Sequence, residues 1–328
     1  MDSGSRSDPV EKIYDQRIRG VGVVMVQAER QWHAHAGCWF MLASLAPPTI
    51  MVAVPQEFAA SALIPEAGRF TVSLAAESQM HVVDQFFAGL ATPDAFQPGT
   101  LVTAPSGQPA LGQSPGVFDC ALAGRWDLGD VLLVAGVVQA AGGERPHARN
   151  LTVNAIQVRT DAPRRIVLPR AALPAPSEPP PSVPLTESAE VVYARRRFGP
   201  LTVLAGSGGP VARRRSRAAV QVSHQPPRFL WAAPESDPLS SALAEGGGWS
   251  LALPGQEPGK TEEPDEAMGR WIDGSSVHWV GGAPLERGGG TYFAGTRADR
   301  LEAPTLPQEA LWMGVAERFG PAPPAGRA

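Results

Sequence analysis

Apolar residues along this chain fall into short runs separated by glycine, proline and polar turn residues. Two of these stretches, CWFMLASLAPPTIMVAV (38–54) and RAAVQVSHQPPRFLWAA (217–233), have the same layout. In each, two strand-like runs flank a turn that contains one serine and a Pro-Pro pair. Because proline cannot donate a hydrogen bond to a β-ladder, such a pair belongs at a strand edge or a corner. The pattern therefore predicts the same pair of strands at two places in one chain.

The two stretches belong to a longer internal repeat. Displacing the chain against itself by 179 positions gives a gapless match from Gly20/Gly199 to Leu74/Leu253. Each copy predicts the order strand, turn, strand, Pro-Pro turn, strand, short helix, strand. A weaker similarity, at a shorter displacement, relates GDVLLVAG (129–136) to GGGTYFAG (288–295). The identical pairs include Val24/Val203, Ser44/Ser223, Pro47/Pro226, Pro48/Pro227, Pro55/Pro234, Ser61/Ser240 and Gly68/Gly247.

The repeat and the length of 328 residues predict two domains. We place the first domain at residues 1–168 and a second, shortened domain at 191–306. Between them, 169–190 is rich in proline and predicts a semi-rigid, extended linker. Residues 307–328 are predicted to be a C-terminal tail. The expected fold class is mostly β, with two small barrels and short helices.

Composition narrows the classes of function. The 34 prolines and 35 glycines suit many short strands better than long helices. A net charge of −4 with 18% charged residues gives no reason to expect nucleic acid or an acidic membrane as partner. No apolar run is long enough to span a bilayer, and the N-terminus has no secretory pattern. Cys38 and Cys120 fit neither a metal site nor a disulfide framework, which predicts reduced thiols in a cytoplasmic protein.

A set of motifs in the first copy resembles the flavin reductase-like FMN-binding domains, which are split β-barrels. The resemblance covers roughly Arg17 to Ala141 and depends on the order and spacing of the motifs together. The second copy is identified mainly through the first. The motifs are AGCW (36–39), SLAPPTIMVAV (44–54), ASALIPEAGRF (60–70), QFFAG (85–89) and FDCALAGRWDLGDVLLVAGVV (118–138).

The resemblance implies an NAD(P)H:flavin oxidoreductase that uses FMN or, alternatively, FAD, with NAD(P)H as reductant. A flavin-dependent monooxygenase is an implied partner for the reduced flavin. The family usually forms homodimers with flavin near the interface of two barrels. Two barrels on one chain would then form an intramolecular pseudo-dimer, with the flavin near the interface of the two barrels. The chain itself would be either a monomer or a homodimer.

The resemblance also implies which residues hold the flavin. Ala36, Gly37, Cys38 and Trp39 stand where the family lays backbone against the isoalloxazine ring, and Gly37 permits a close approach. Ser61 is the remaining candidate donor to the flavin phosphate. No catalytic residue is assigned, because the flavin itself carries out hydride transfer.

Three departures from the family pattern favour an alternative function. Ala36 replaces a threonine, Glu57 would repel a phosphate, and Val131 replaces a histidine that is linked to nicotinamide handling. The alternative is a non-catalytic split-barrel binding module for flavin, haem or a partner protein. For haem, the candidate ligands are His81 and His278.

A basic run in the second copy offers a possible phosphate clamp. Alternation along a strand would direct Arg213, Arg215 and Arg217 to one face and Arg214 to the other, around Ser216. Guanidinium groups on one face suit a phosphate or a carboxylate. The competing interpretation is a solvated hairpin tip that protects a sheet edge.

His33 and His35 are spaced to share one strand face, as in half of a metal site. The sequence positions no third ligand beside them. We therefore predict no metal.

Overall fold

The computed structural model describes residues 20–37, 39–83, 99–152, 173–174, 180–188, 201–216, 218–224, 226–252, 269–286, 291–303, 306 and 308–321. The chain divides into two compact units. The N-terminal unit is Ile18–Phe198, and the C-terminal unit is Gly199–Ala328 together with Met1–Arg17. Strands dominate the described part of both units, which confirms the predicted mostly-β class.

One eight-stranded sheet forms the N-terminal unit, in the order β10-β2-β1-β5-β8-β9-β4-β3. A separate two-stranded ribbon pairs β6 with β7. The elements are β1 (Gly22–Ala28), β2 (Gln31–Gly37), β3 (Phe40–Leu45), β4 (Pro48–Pro55), α1 (Ala60–Ala67), β5 (Arg69–Leu74), β6 (Leu101–Thr103), β7 (Pro109–Leu111), β8 (Gly116–Asp127), β9 (Val131–Gly142) and β10 (Leu173–Pro174).

The core of this unit joins the sheet to the short helix. Apolar side chains of α1 pack with alternate residues of the strands, among them Val24, Val52 and Phe70. The helix ends at Gly68, whose φ of 66° and N–H bond to the Ile64 carbonyl form a left-handed cap. A stop at this glycine lets β5 begin immediately and return to the sheet beside β1.

The C-terminal unit has a six-stranded sheet, β16-β12-β11-β15-β19-β22, and a four-stranded sheet, β13-β14-β21-β20. A ribbon of β17 and β18 completes its described part. The elements are β11 (Leu201–Gly206), β12 (Val211–Ser216), β13 (Ala219–His224), β14 (Pro227–Pro234), α2 (Pro238–Ala244), β15 (Gly248–Ala252), β16 (Arg270–Ile272), β17 (Val277–Val280), β18 (Ala283–Glu286), β19 (Thr291–Gly295), β20 (Ala298–Leu301), β21 (Glu309–Val315) and β22 (Arg318–Pro321).

Strand registers in the two units match at the displacement found in the sequence. Gly22 pairs with Gly37 in β1–β2, and the residues 179 positions later, Leu201 and Ser216, pair in β11–β12. The β1–β5 and β11–β15 pairs keep the same relation. Because one slipped residue would turn every side chain to the other face, equal registers mean that both units orient equivalent positions alike.

The strands that flank the Pro-Pro pair bulge at equivalent positions in both copies. In β3–β4 the register shifts between Leu42 and Ser44, and in β13–β14 it shifts between Gln221 and Ser223. These bulges are again 179 positions apart. A bulge bends a strand locally, so the same corner is built twice, as the order of elements predicted.

Two expectations about the second copy were wrong. Residues 307–328 were expected to be a tail, but β21 pairs with β14 and β22 pairs with β19. The reason is burial: Leu311 and Trp312 are core residues. The weaker similarity, between 129–136 and 288–295, does not align equivalent strands. β9 pairs with β4 as β21 pairs with β14, so β9 corresponds to β21. β19 pairs with β15 as β8 pairs with β5, so β19 corresponds to β8.

Part of the predicted linker packs on the N-terminal unit. β10 pairs with β2, and Thr103 Oγ1 donates to the Pro180 carbonyl at 2.8 Å. Val183 and Leu185 lie in a small apolar cluster with Val102. The rest of 169–190 lies outside the described residues. Within the described part of the chain, no helix is long and apolar enough to cross a membrane.

Candidate functional site

Three of the four residues expected to meet the flavin ring lie together where β2 ends and β3 begins. Ala36 is buried, with 4% of its surface exposed, and Trp39 is half-buried. The Trp39 carbonyl accepts a hydrogen bond from Ala53 N at 2.9 Å, which ties this segment to β4. Cys38 lies outside the described residues.

Gly37 leaves room beside this segment. Among the described residues, a Cβ placed on Gly37 would have only His35 Cδ2 within 4 Å, at 4.0 Å. No packing contact with this part of the chain therefore requires glycine here. The open space lets a flat ligand approach the backbone closely.

Two buried histidines and a phenylalanine pack together beside Gly37. His33 and His35 stack on the Phe58 ring, with centroid distances of 5.9 and 5.5 Å. Burial, reinforced by the neighbouring His33, lowers the pKa of His35 to about 3. No group of three metal-ligating side chains occurs among the described residues. At neutral pH, His35 is therefore an uncharged part of an aromatic stack.

The loop between β4 and α1 was expected to supply Ser61 to a phosphate. Ser61 Oγ instead donates to the carbonyls of Phe58, at 2.8 Å, and Gln56, at 3.1 Å. Its single proton is thus used to shape the loop. The sequence from Pro55 to Gly68 contains no lysine or arginine.

The basic run of the C-terminal unit lies on β12 and alternates as predicted. Arg213 and Arg215 are half-buried on one face, and Arg214 is buried on the other. Ser216 is buried, and its Oγ accepts a hydrogen bond from Ala218 N at 2.9 Å. Arg217 lies outside the described residues.

Arg214 forms an ion pair with Asp237, a partner that the sequence reasoning missed. The fully buried Asp237 carboxylate also accepts from Leu239 N, at 2.8 Å, and Gly269 N, at 2.7 Å. One carboxylate thus joins β12, α2 and the segment before β16. The sequence signal for it was present, because aspartate followed by proline at a helix start is typical of an N-cap.

The ion pair and the aromatic stack occupy equivalent positions in the two units. His35 and Arg214 are separated by 179 residues, as are Phe58 and Asp237. Both pairs join the second strand of a unit to the loop before its helix. The same backbone position therefore carries an uncharged stack in one unit and a charged pair in the other.

Comparison with known proteins identifies the N-terminal unit. A family model described as "Flavin reductase like domain" matches residues 16–159. An FMN reductase (NADH) RutF of Methylorubrum extorquens strain DM4 is 32% identical over 163 residues, 48% of this chain and 72% of the relative. The chain belongs to the flavin reductase-like family. A second RutF, from strain PA1 of this species, is 34% identical over 101 residues, 30% of this chain and 50% of the relative.

Solved structures with related names also align with part of the chain. BorF, the flavin reductase component of a bacterial two-component tryptophan halogenase, is 24% identical with a TM-score of 0.39, over 52% of this chain and 98% of BorF. The styrene monooxygenase flavin reductase of Pseudomonas putida S12 is 27% identical with a TM-score of 0.33, over 39% of this chain and 82% of that one.

The residues present fit the ring of FMN and not its phosphate. For the ring, the site offers open backbone at Gly37 and apolar walls from Ala36 and Trp39. For the phosphate, Ser61 already donates its proton to backbone carbonyls, and the sequence from Pro55 to Gly68 supplies no lysine or arginine. A phosphate dianion needs several donors or cations to replace its hydration.

Proposed function

We propose that this chain is a flavin reductase that takes electrons from NADH, or NADPH, and delivers them to a flavin such as FMN. The observation that carries the proposal is the 32% identity with an FMN reductase (NADH) over 163 residues. That alignment covers 72% of the relative. The open backbone at Gly37 lies where the family resemblance implies the flavin ring.

A bound flavin would supply the hydride chemistry, and the chain would bind, orient and shield it. Gly37 would contribute backbone contact, and Ala36 and Trp39 apolar walls. The buried, uncharged His35–Phe58 stack would place an aromatic surface and no charge beside Gly37.

The proposal includes a role for the C-terminal unit. Equal strand registers support its being a second copy of the same domain, so that two related units would complete one flavin site near their interface within a chain. Whether that chain acts as a monomer or as a homodimer is left to measurement of its mass in solution. We further propose that the reduced flavin passes to a separate flavin-dependent monooxygenase.

A non-catalytic flavin-binding module is the second candidate. Val131 favours it, because the residue that stands in place of the family's histidine is buried in the core, with 3% of its surface exposed. It pairs with Pro55 and presents no titratable group. Such a module would bind flavin without accepting electrons from NADH.

Anaerobic titration separates the two candidates. Purified protein is first titrated with FMN while ring fluorescence is followed, and NADH is then added while the visible absorbance of the flavin is followed. A reductase quenches the fluorescence and then bleaches the flavin catalytically. Quenching without bleaching identifies the binding module, and no quenching contradicts both.

A matched pair of variants tests the location. Gly37→Val fills the open space beside the ring segment without a backbone clash, since only His35 Cδ2 comes within 4 Å. We expect it to weaken flavin binding at least about tenfold. Gly209→Val, at a hairpin tip with nothing within 4 Å, is the control and should bind normally. Equal binding by both variants would place the flavin elsewhere.

A further inference from the structure

We propose that this chain recognises flavin through the isoalloxazine ring and gains almost nothing from the phosphate. Riboflavin and FMN should therefore bind with nearly equal affinity. The inference rests on the proposed flavin-binding function and specifies the class of ligand that it accepts.

The first step is that every described serine predicted to serve the phosphate is engaged. Ser61, in the first turn of α1, donates its Oγ proton to two carbonyls of the preceding loop. Ser216 is buried, and its Oγ accepts a hydrogen bond from Ala218 N. Donation from Ser61 to a phosphate would break the bonds that shape the loop before α1, and burial of Ser216 keeps its hydroxyl away from the surface.

The second step is that the predicted arginine clamp is divided. Arg214, the buried member, is paired with Asp237, whose carboxylate is fully buried. Breaking this pair would leave a buried charge uncompensated. Arg213 and Arg215, on the other face, also make contacts of their own.

The third step concerns the loop where the family resemblance implies the phosphate. Its central residue is Phe58, 6% exposed and stacked on His33 and His35. The adjoining Glu57 is exposed and adds negative charge to the same loop. A dianion placed here would meet an aromatic ring and a carboxylate.

These observations set the size of the expected effect. A charge-assisted hydrogen bond is about twice as strong as a neutral one. Two of them in a built phosphate site would favour FMN over riboflavin by about 100-fold or more. Without them, the two affinities should agree within about threefold.

The experiment is a fluorescence titration of the full chain with riboflavin and with FMN, at low and at high salt. We expect affinities within about threefold and a ratio that salt barely changes, because the sequence from Pro55 to Gly68, where the phosphate would lie, contains no lysine or arginine. An FMN affinity at least about 30-fold higher, reduced by salt, would overturn the inference and leave the proposed function intact. If neither flavin binds, the proposed function fails and this inference with it.

A gain-of-function variant tests the loop itself. Glu57→Arg supplies the missing cation, and we expect FMN to bind about fivefold or more tightly while riboflavin is unchanged. Glu66→Arg makes the same change at the other end of α1, where the side chain is also exposed, and should alter neither affinity. Unchanged riboflavin binding shows that the variants are folded. An unaltered FMN-to-riboflavin ratio in Glu57→Arg would contradict the placement of the phosphate at this loop.

Discussion

The two units place different chemistry on matching backbones. Where the N-terminal unit has His35 stacked on Phe58, the C-terminal unit has Arg214 paired with Asp237. Where the first leaves open space beside Gly37, the residue 179 positions later is the buried, hydrogen-bonded Ser216.

This difference shows that backbone and site are specified by separate residues. Alternating apolar positions and the Pro-Pro corner set the registers, and these are shared. The residues at the end of the second strand and before the helix decide what the unit can hold. Of the two units, the N-terminal one has open space at this position, beside Gly37, and we place the flavin there.

The largest expected effect on stability comes from removing Asp237, one partner of the buried ion pair in the C-terminal unit. Asp237→Ala would leave Arg214 buried without its partner, and two backbone N–H groups would lose their acceptor. We expect the C-terminal unit to lose about 3–5 kcal/mol of unfolding free energy. Hydrogen–deuterium exchange read by mass spectrometry should show faster exchange in β12 and α2.

The matched control for this change is Asp273→Ala. Asp273 is an exposed aspartate that also caps a turn, accepting from Ser275 N at 2.9 Å. Its loss should destabilise the unit far less than the loss of Asp237, because water can replace the carboxylate at an exposed cap. Equal effects of the two substitutions would mean that the buried pair is not what holds β12 to α2.

The stability of the N-terminal unit, which contains the uncharged His35–Phe58 stack, should fall in acid. Because the pKa of His35 is lowered to about 3 in the folded state, the unfolded state binds a proton first as pH falls. Stability is therefore lost below the unfolded pKa of about 6.5, by about 2 kcal/mol between pH 7 and pH 5. Urea unfolding at several pH values measures it.

His35→Leu should remove most of this pH dependence in the N-terminal unit. His147→Gln, at an exposed position, should keep it. An N-terminal unit that is as stable at pH 5 as at pH 7 would contradict a neutral His35 in the stack.

The smallest effect concerns a feature that both units share. Ser61 and Ser240 each donate to a backbone carbonyl of the preceding loop, Ser240 to Pro234 at 2.9 Å. We expect Ser61→Ala and Ser240→Ala each to cost about 1 kcal/mol, measured by urea unfolding. A loss of FMN binding in Ser61→Ala with riboflavin binding retained would instead give this serine a ligand role.

The sequence predicted the repeated elements because their signals are local. Prolines 47 and 48 and Gly68 mark the corner and the end of the helix in the first copy, and Pro226, Pro227 and Gly247 stand at the equivalent positions of the second. Arg214 and Asp237 are 23 residues apart, and only the folded loop brings them together. In the same way, Phe58 gave no signal of its stacking partners, since aromatic residues are common in any core.

The C-terminal strands were missed for another reason. The proline- and glycine-rich end GPAPPAGRA led us to end the predicted second domain at residue 306. The apolar run ALWMGV (310–315), which precedes it, forms most of β21. What pairs with that run is β14, 75 residues or more earlier in the chain. Such a long-range partner is decided by the whole sheet and not by local pattern.

The most direct test of the account is the stoichiometry of riboflavin binding to the full chain, measured by calorimetry. One riboflavin per chain, lost in Gly37→Val and retained in Gly209→Val, is the predicted result. Two riboflavins per chain would show that the C-terminal unit also holds a site despite its Arg214–Asp237 pair. No binding at all would contradict the assignment of a flavin site to this chain.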